Sequence, residues 1–397
     1  MFSKAFVPHK GYWSSPFSRW QGSFQNEHPV KLAAATTKKF LELRGIDPKV
    51  FDGCTFGMTI GMPSWFYANP WYCALMGNDR ISGPTVSQAC ATSATALYTA
   101  AAGLECGAHE CNLVATTDRC SNGPHTVWPN PKGPGAEVIS ENWMMDNFNK
   151  DPYGGEAMFI TAELVGKDNG GVSKEESDAL ALRRYEQYQM ALADDRAFQK
   201  GYMIPVDVQV SKKKVVTVEA DEGIMPTTAE GLASLRPILP DGALTFGAQT
   251  HPADGNAGLI VTTEEKAKEL SSDKSVTIQI LSYGYGRAAK ARMAAAVTPS
   301  AQMALKNAGL EVKDLAAVKT HNPFTINDII MGRLMNIPDE IFNNYGSSMI
   351  FGHPQGPTGA RCMVEMIEEL VLKGGGYGLF AGCAAGDTAA AVVFKVS

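Results

Sequence analysis

The sequence has no long hydrophobic run and no metal-ligand spacing. No stretch of 18 apolar residues occurs, so no membrane-spanning helix is predicted. The residues after Met1 lack the apolar core of a secretion signal, and we therefore expect a cytoplasmic protein. The eight cysteines form no CxxC pair and no His-rich tract accompanies them, so we expect reduced thiols and no zinc site made by this chain alone.

The chain also has little excess of either charge. Its 35 Lys and Arg residues and 41 Asp and Glu residues give a formal net charge of −6, which argues against a nucleic-acid-binding protein. A local basic patch for an anionic ligand stays open, because net charge does not report clustering. With 397 residues, 45 % of them hydrophobic, the chain can form a large core in two domains or in one duplicated unit.

Strand-like and helical segments alternate at both ends of the chain, which predicts an α/β fold. The predicted elements are helix 30–43, strand 51–60, helix 89–107, strand 112–116, helix 174–202, strand 212–219, helix 300–308, strand 317–320, helix 359–373, and a hairpin of 378–383 with 389–396. Residues 118–170 are rich in Gly, Pro, Asn and aromatic residues. They predict a long irregular excursion, and ordered loops of that length are usually functional.

Cys90 lies in a segment of small residues, 87–93, directly before a run with helical spacing. A thiol at a helix N-terminus is close to the positive end of the macrodipole, which lowers the thiol pKa and favours the nucleophilic thiolate. Small neighbours also let a substrate approach the backbone. The alternative is a structural cysteine in a core helix, the commonest position of a free cysteine.

His353 lies in the glycine- and proline-rich segment 351–359. Such a turn fixes the backbone and admits little side-chain bulk, so the imidazole can reach into a cleft. A general base must lie within about 3 Å of the group whose proton it takes, and a rigid turn provides that placement. We interpret His353 as a candidate base, and the alternative is a surface-turn histidine.

Two further candidates end strand-like segments. Cys383 precedes a turn of small residues, whose N–H groups can face a developing oxyanion. His321 can donate a hydrogen bond to a thioester oxygen or can simply cap its strand. A nucleophilic thiol, a base and a second thiol for proton transfer are what carbon–carbon bond formation or cleavage at a thioester requires.

The order and context of these residues resemble the thiolase superfamily. Residues 86–93 resemble its nucleophile motif, 352–361 closely resemble its GHPxGxxGAR histidine motif, and 378–383 resemble the segment with its second cysteine. His321 begins a His-Asn-Pro-Phe segment where most members have Asn-Glu-Ala-Phe and the sterol-carrier branch has a histidine. The resemblance covers essentially the whole chain.

The resemblance implies a duplicated α/β fold, with α-β-α-β-α layers and a mixed five-stranded sheet in each half. We place the N-terminal half at 1–270, with a long loop excursion at about 118–250, and the C-terminal half at 271–397. CoA and acyl-CoA are the implied substrates, with no covalently bound cofactor and no metal. A homodimer is the expected assembly.

Roles for individual residues also follow from the resemblance. Cys90 takes up the acyl group as a thioester, His353 activates it, and Cys383 moves a proton to or from the α-carbon. The resemblance implies that His321, with a water or with His353, forms one oxyanion hole. The backbone N–H groups of Cys90 and Ala385 form the other. Positions that match substrate or CoA contacts are Met158, Thr250, Phe324 and Ser121. Cys383 separates the chain from decarboxylating ketoacyl synthases, because α-proton transfer suits a thiol of matched pKa.

Three departures from the family pattern affect the oxyanion hole and the CoA site. Alanine at 385 stands where glycine is usual, and an alanine held at a positive φ would be strained. Met225 replaces an arginine that would contact a CoA phosphate. Beside Thr250, His251-Pro252 replace Gly-Ile.

The loops are rich in aromatic residues and histidine, namely Trp65, Phe66, Tyr67, Trp71, Tyr72, His125, Trp128, Trp143, Phe148 and Tyr153. These residues predict either interface and core packing or a roomy pocket for a bulky or aromatic acyl group. Within the superfamily the chain resembles 2-benzoylsuccinyl-CoA thiolases, and the histidine branch often has a small zinc-ribbon/OB-fold partner subunit. Acetoacetyl-CoA thiolase is the alternative activity, and a non-catalytic acyl-CoA-binding protein is a third interpretation.

Overall fold

The computed structural model describes all residues from 1 to 397. Helices and strands alternate, as the sequence predicts. The α-helices are α1 Pro29–Arg44, α2 Ala68–Met76, α3 Thr92–Glu105, α4 Trp143–Asn149, α5 Met158–Asp168, α6 Lys174–Lys200, α7 Ala229–Ser234, α8 Glu264–Leu270, α9 Val297–Ala308, α10 Thr325–Met335, α11 Ser348–Phe351 and α12 Thr358–Leu372. None of them combines the length and the apolar character that crossing a membrane requires.

The strands are β1 Phe6–Val7, β2 Tyr12–Ser14, β3 Ser18–Arg19, β4 Gly53–Gly57, β5 Thr85–Val86, β6 Cys111–Arg119, β7 His125–Pro129, β8 Val138–Asn142, β9 Val206–Ser211, β10 Lys214–Val218, β11 Ala253–Thr262, β12 Ile278–Arg287, β13 Leu315–His321, β14 Gly376–Ala384 and β15 Thr388–Val396. Eleven of them form one mixed sheet in the order β13-β14-β15-β12-β1-β11-β6-β4-β5, with β2 and β3 also paired to β11.

The short strand β1 joins the two halves of this sheet. Its residue Phe6 pairs with Thr262 of β11 on one side and with Gln279 of β12 on the other. Along the main path each half has four strands of its own and shares β1, which corresponds to the five-stranded sheet expected for each half, and β2 and β3 add to the N-terminal half through β11. The division of the chain at residue 270 stays a prediction, since one sheet runs through both halves.

Helices lie between and outside the two halves of the sheet. The central layer is α3 with α12, which contact each other and share one apolar cluster with β11 and β15. On the outer faces, α1 and α2 cover β4 and β6, while α9 and α10 cover β13 and β14. This is the α-β-α-β-α layering that the resemblance implies.

Strand β15 shows why the central strands are apolar along their whole length. Its residues Ala390, Val392 and Phe394 belong to the central cluster, whereas Ala391 and Val393 belong to the outer cluster. Successive side chains of a strand point to opposite faces, so a strand with helices on both sides must be apolar at every position.

The middle of the chain is more regular than the sequence predicts. Residues 118–170 were expected to be irregular, but they include the hairpin β7–β8 and the helices α4 and α5. The hairpin pairs only with itself, and the predicted edge strand at 212–219 is likewise part of a separate hairpin, β9–β10. Helix α6 begins at the predicted cap Ser173 but leaves helical geometry at 193–196 before it continues to Lys200.

Four chain segments bring the candidate residues to one place in this architecture. Helix α3 begins two residues after Cys90, and α12 begins five residues after His353. Strand β13 ends at His321, and β14 ends one residue after Cys383. The candidate site therefore lies where the central helices begin and two parallel strands end.

Candidate active site

Cys90 and His353 are in direct contact, although 263 residues separate them in the sequence. The Sγ atom of Cys90 lies 3.1 Å from Nε2 of His353. On the other side of the ring, Nδ1 lies 2.7 Å from Oγ1 of Thr358. An Nδ1–H group that donates to this hydroxyl leaves Nε2 free to accept the thiol proton. The geometry is that of a nucleophile and its base.

Burial keeps both members of this pair neutral. It raises the pKa of Cys90 to about 12, although the backbone N–H groups of Ala385 and of Cys90 itself act in the opposite direction. Burial, and then the nearby His321, hold the pKa of His353 well below its ordinary value. The lowered thiol pKa expected from the helix dipole is therefore wrong in direction, because desolvation outweighs the N–H groups.

The raised pKa predicts how Cys90 reacts with iodoacetamide. Because only the thiolate reacts and the thiol pKa is about 12, the alkylation rate should rise about tenfold per pH unit between pH 7 and pH 10. The measurement is mass spectrometry of the Cys90 peptide across that range, with the exposed thiol Cys106 as an internal reference for the reagent. A rate that levels off near neutral pH would contradict the prediction.

His321 lies against the other face of the base. The two imidazole rings stack with centroids 4.0 Å apart and planes inclined by 24°. Nδ1 of His321 lies 2.9 Å from Oγ of Ser348, whereas Nε2 is buried and has no partner. Burial lowers the pKa of His321 to about 3. A buried nitrogen without a partner is costly, and a substrate oxygen at this position would satisfy it.

Cys383 completes the group from strand β14. Its side chain is fully buried, and Nδ2 of Asn327 donates to its Sγ atom at 3.3 Å. Burial and then the neighbouring Cys90 raise the pKa of Cys383 well above the ordinary value, while the Asn327 contact acts the other way. The structure therefore places a second neutral thiol next to the first.

The turn after Cys383 also reaches the nucleophile. The backbone N–H of Ala385 faces the sulfur of Cys90. Within this turn the left-handed residues are Gly386, with φ of 79°, and Asp387, with φ of 59°, and not Ala385. The alanine that replaces the usual glycine is therefore free of the strain that a positive φ would cause.

Two further side chains in the histidine motif contact the pair, and sequence reasoning did not assign them a role. Gln355, with φ of 64°, places its Oε1 atom 3.3 Å from the Cys90 sulfur. Thr358 orients the base, as described above. Both were visible as motif positions, but a motif does not show which way a side chain points.

Asp118 holds the loops beneath the nucleophile together. Its carboxylate accepts the backbone N–H groups of Thr59, Ile60 and Gly356 at 2.8–2.9 Å. Burial raises the pKa of Asp118 to about 7 in spite of these contacts. A Cβ atom at Gly356 would lie 2.7 Å from the carboxylate, so glycine is required there. No sequence signal marks Asp118, Asn327 or Ser348, because their partners are distant in the chain.

The residues expected to contact substrate or CoA lie at different depths. Met158 and Phe324 belong to the apolar cluster that contains Cys383. Thr250 is half-buried, and its Oγ1 atom donates to the Ser348 carbonyl at 2.5 Å. Ser121 is fully buried, and its hydroxyl accepts the backbone N–H of Gln21 at 2.8 Å. Two of the four thus belong to the same large apolar cluster as Cys383, and Thr250 is bonded to Ser348, whose hydroxyl contacts His321.

The site also brings together one sulfur and two nitrogen donors that sequence spacing did not reveal. One donor atom from each of Cys90, His321 and His353 lies within 4.8 Å of the others. Such a set can hold a soft divalent ion. The hydrogen-bond contact between the Cys90 sulfur and the His353 ring makes acid–base chemistry the simpler interpretation.

Known proteins with similar sequences and structures identify the family. The model "Thiolase, N-terminal domain" matches residues 13–265, and "Thiolase, C-terminal domain" matches 274–396. Acetyl-CoA acetyltransferase IA of Candida tropicalis is 28 % identical over 393 residues, which cover 96 % of this chain and 95 % of the relative. A 3-ketoacyl-CoA thiolase of Vibrio vulnificus (strain YJ016) is 29 % identical over 326 residues, which cover 80 % and 79 %.

The fold agrees with this similarity. The crystal structure of human mitochondrial 3-ketoacyl-CoA thiolase superposes on the chain with a TM-score of 0.90 at 24 % identity, and 99 % of each chain is covered. The predicted thiolase fold is therefore confirmed. The chain belongs to the thiolase family of acyltransferases.

Proposed function

We propose that this protein cleaves a 3-oxoacyl-CoA with CoA through an acyl-Cys90 intermediate. The observation that carries the proposal is the 3.1 Å contact of the Cys90 sulfur with His353, beside a second buried thiol at Cys383. A human thiolase of this fold has been solved in complex with CoA, and relatives are named acetyl-CoA acetyltransferase and 3-ketoacyl-CoA thiolase. These names support CoA and acyl-CoA as substrates.

In the first half-reaction, Cys90 attacks the keto carbon while Nε2 of His353 takes the thiol proton. The N–H groups of Cys90 and Ala385 stabilise the oxyanion that forms. The bond between C2 and C3 then breaks, and its electron pair moves to C2, so the acyl group remains on Cys90 and a CoA-thioester enolate leaves. The thiol of Cys383 protonates C2, and the Asn327 amide stabilises the resulting thiolate.

In the second half-reaction, CoA takes the acyl group from Cys90 and the free enzyme is restored. The Cys383 thiolate takes the proton of the CoA thiol, and the CoA sulfur attacks the acyl-Cys90 carbonyl. The Cys90 thiolate leaves and recovers its proton from the His353 imidazolium. Each catalytic group has then returned to its resting protonation state.

His321 has a defined protonation state in this proposal. To stabilise the enolate oxygen it must donate from Nε2, which is the buried nitrogen without a partner. Nδ1 must then accept a hydrogen bond, so the Ser348 hydroxyl, at 2.9 Å, must donate to Nδ1 rather than to Oδ1 of Asn322, which lies 3.1 Å from the same hydroxyl. The neutral ring that burial enforces suits this role, because it donates without adding a second positive charge next to protonated His353.

For the acyl group we propose a bulky aromatic one, as in 2-benzoylsuccinyl-CoA. Among these aromatic residues, Phe148 at the end of α4 packs against both the cluster that contains Cys383 and the outer cluster of the N-terminal half, and Tyr153 in the following loop is 63 % exposed. Tyr72, in contrast, is fully buried in the outer cluster and belongs to the core. The exposed aromatic residues thus remain available to an acyl group, which favours a large one, whereas Tyr72 contributes packing.

Acetoacetyl-CoA cleavage or synthesis is the second candidate, favoured by the relatives named acetyl-CoA acetyltransferase. A non-catalytic acyl-CoA-binding role is third, and the direct contact of Cys90 with His353 speaks against it. We further propose a cytoplasmic homodimer. A zinc-ribbon/OB-fold subunit, if it associates, would add structural order or part of the CoA site.

The test compares two substrates with one protein. CoA-dependent cleavage of 2-benzoylsuccinyl-CoA and of acetoacetyl-CoA is measured for wild type and Cys90→Ser, with and without any co-purifying small subunit. We expect Cys90-dependent turnover of the aromatic substrate, faster than that of acetoacetyl-CoA. If only acetoacetyl-CoA is turned over, the protein is a short-chain thiolase and the loop aromatic residues serve in packing.

A further inference from the structure

Two cationic side chains converge on one exposed aromatic ring outside the catalytic group. The guanidinium carbon of Arg287 lies 5.8 Å from the centroid of the Tyr153 ring, and Nζ of Lys290 lies 5.4 Å from it. The two like charges are therefore within about 11 Å of each other. Neither makes a salt bridge, whereas Arg292 in the same loop pairs with Asp168. Both cations are exposed, and two cations without an acidic partner near one ring attract anions.

The loop that carries them, residues 287–292, is fixed to the turn after Cys383. The carboxylate of Asp387 accepts the N–H groups of Ala291 and Arg292 at 2.9 and 2.8 Å. The Asp387 carbonyl accepts the N–H of Ala288 at 2.8 Å. Because both ends of this loop are held, its two free cations are presented from a defined backbone.

This attachment places the loop close to the reacting atoms. Asp387 is two residues from Ala385, whose N–H faces the Cys90 sulfur. At about 3.8 Å per residue, the backbone at Ala288 lies within roughly 17 Å of that sulfur. An extended acyl chain and a long cationic side chain can span such a distance together.

The loop is also continuous with the apolar cluster of the half that contains Cys383. It runs directly into Met293, which packs in one cluster with Met158, Phe324 and Cys383. The segment around Thr250, expected to contact CoA, is bound instead to Ser348 and to the Pro323 carbonyl. An acyl group bound at Cys90 is therefore one source of an anion within reach of Arg287 and Lys290.

We propose that Arg287 and Lys290, with Tyr153, bind a carboxylate on the acyl portion of the substrate. This inference rests on the proposed function and refines it, since it names the substrate class as a 3-oxoacyl-CoA with a second acid group. The guanidinium and the ammonium would donate charge-assisted hydrogen bonds to the carboxylate. The Tyr153 ring would pack against the adjoining carbons. 2-Benzoylsuccinyl-CoA has such a carboxylate on its C2 branch, in the fragment that leaves as a CoA thioester while the benzoyl group remains on Cys90.

The test uses binding, so that it does not depend on turnover. Calorimetry gives the Kd of adipyl-CoA and of hexanoyl-CoA, which differ by one terminal carboxylate, on the full chain carrying Cys90→Ala. We expect adipyl-CoA to bind about tenfold more tightly. Adding Arg287→Gln and Lys290→Gln should bring the ratio close to one, and Lys38→Gln, at an exposed lysine on α1, should leave it unchanged. Added salt should also lower the ratio.

Two results would overturn the proposal. If the preference for adipyl-CoA persists after the double substitution, Arg287 and Lys290 do not bind the substrate carboxylate. If the double substitution instead weakened both ligands and free CoA equally, and had no effect on dephospho-CoA, the anion would be the CoA phosphate. The proposed function fails by a different result, namely the absence of Cys90-dependent turnover of 2-benzoylsuccinyl-CoA by wild type, which would leave the binding ratio intact.

Discussion

Cys90→Ala is expected to lower kcat/KM for CoA-dependent cleavage by at least about 10⁴-fold, because the covalent intermediate cannot form. His353, Cys383 and the oxyanion donors act on a thioester at this sulfur, so none of them can replace it. The measurement is the steady-state rate of 3-oxoacyl-CoA loss. Cys106→Ala is the matched control, since Cys106 is an exposed thiol, and it should retain wild-type rates.

Cys383→Ala provides a sharper companion experiment. Without this thiol no group protonates the enolate, so carbon–carbon cleavage should fall by a similar factor. Exchange of an acyl group between a simple acyl-CoA and labelled CoA should persist, because no enolate forms in it and His353 can pass the Cys90 proton directly to the leaving CoA sulfur and take it back from the incoming CoA. Loss of both reactions in Cys383→Ala, or retention of cleavage in Cys90→Ala, would contradict the separate roles of the two thiols.

Arg361→Met is expected to give the largest loss of stability. The guanidinium donates to both oxygens of the Asp221 carboxylate at 2.6 and 2.7 Å, and it also contacts Glu365 at 3.1 Å. Arg361, Asp221 and Glu365 are 0–1 % exposed. Removal of Arg361 leaves a buried carboxylate unpaired, which costs about 3–5 kcal/mol of unfolding free energy. The melting temperature should fall by several degrees.

A surface pair provides the control for this prediction. Arg333 pairs with Glu176, and both side chains are about 40 % exposed, so Arg333→Met should cost about 0–1 kcal/mol. Adding Asp221→Asn to Arg361→Met should restore part of the loss, because it removes the unpaired charge. Equal melting temperatures for Arg361→Met and Arg333→Met would show that the buried pair contributes little.

The same ion pair links stability to the site. Arg361 lies in the first turn of α12, which begins five residues after His353, and Asp221 lies before the segment that contains Met225. Loss of the Arg361–Asp221 ion pair should therefore also displace the His353 imidazole, which lies 3.1 Å from the Cys90 sulfur. We expect kcat to fall together with stability in this variant.

Much of this architecture follows from the sequence because it depends on local patterns. Apolar runs such as 389–396 predict strands that are buried on both faces, and β15 is such a strand. The motif around His353 identifies the family, and with it the layers and the order of the reactive residues. Local spacing did not predict the hairpin β7–β8, since its exposed strands are not apolar on one face.

The parts that sequence reasoning missed depend on contacts between distant segments. Asn327 is 56 residues from the sulfur it contacts, and Asp118 is 238 residues from Gly356. The direction of the Cys90 pKa shift was also missed, because a helix N-terminus is visible in the sequence but the burial that outweighs it is not. Arg287 and Lys290 lie in no recognisable motif, and only the structure shows that both are close to the Tyr153 ring.

The central claim is the acyl-Cys90 intermediate, and direct trapping tests it. The protein is mixed with a 3-oxoacyl-CoA in the absence of CoA, quenched in acid and digested, and its cysteine peptides are analysed by mass spectrometry. We predict the mass of the acyl group on the peptide that contains Cys90, and its loss when CoA is added before the quench. An acyl group on Cys383 instead, or turnover with no acylated cysteine, would contradict the proposed mechanism.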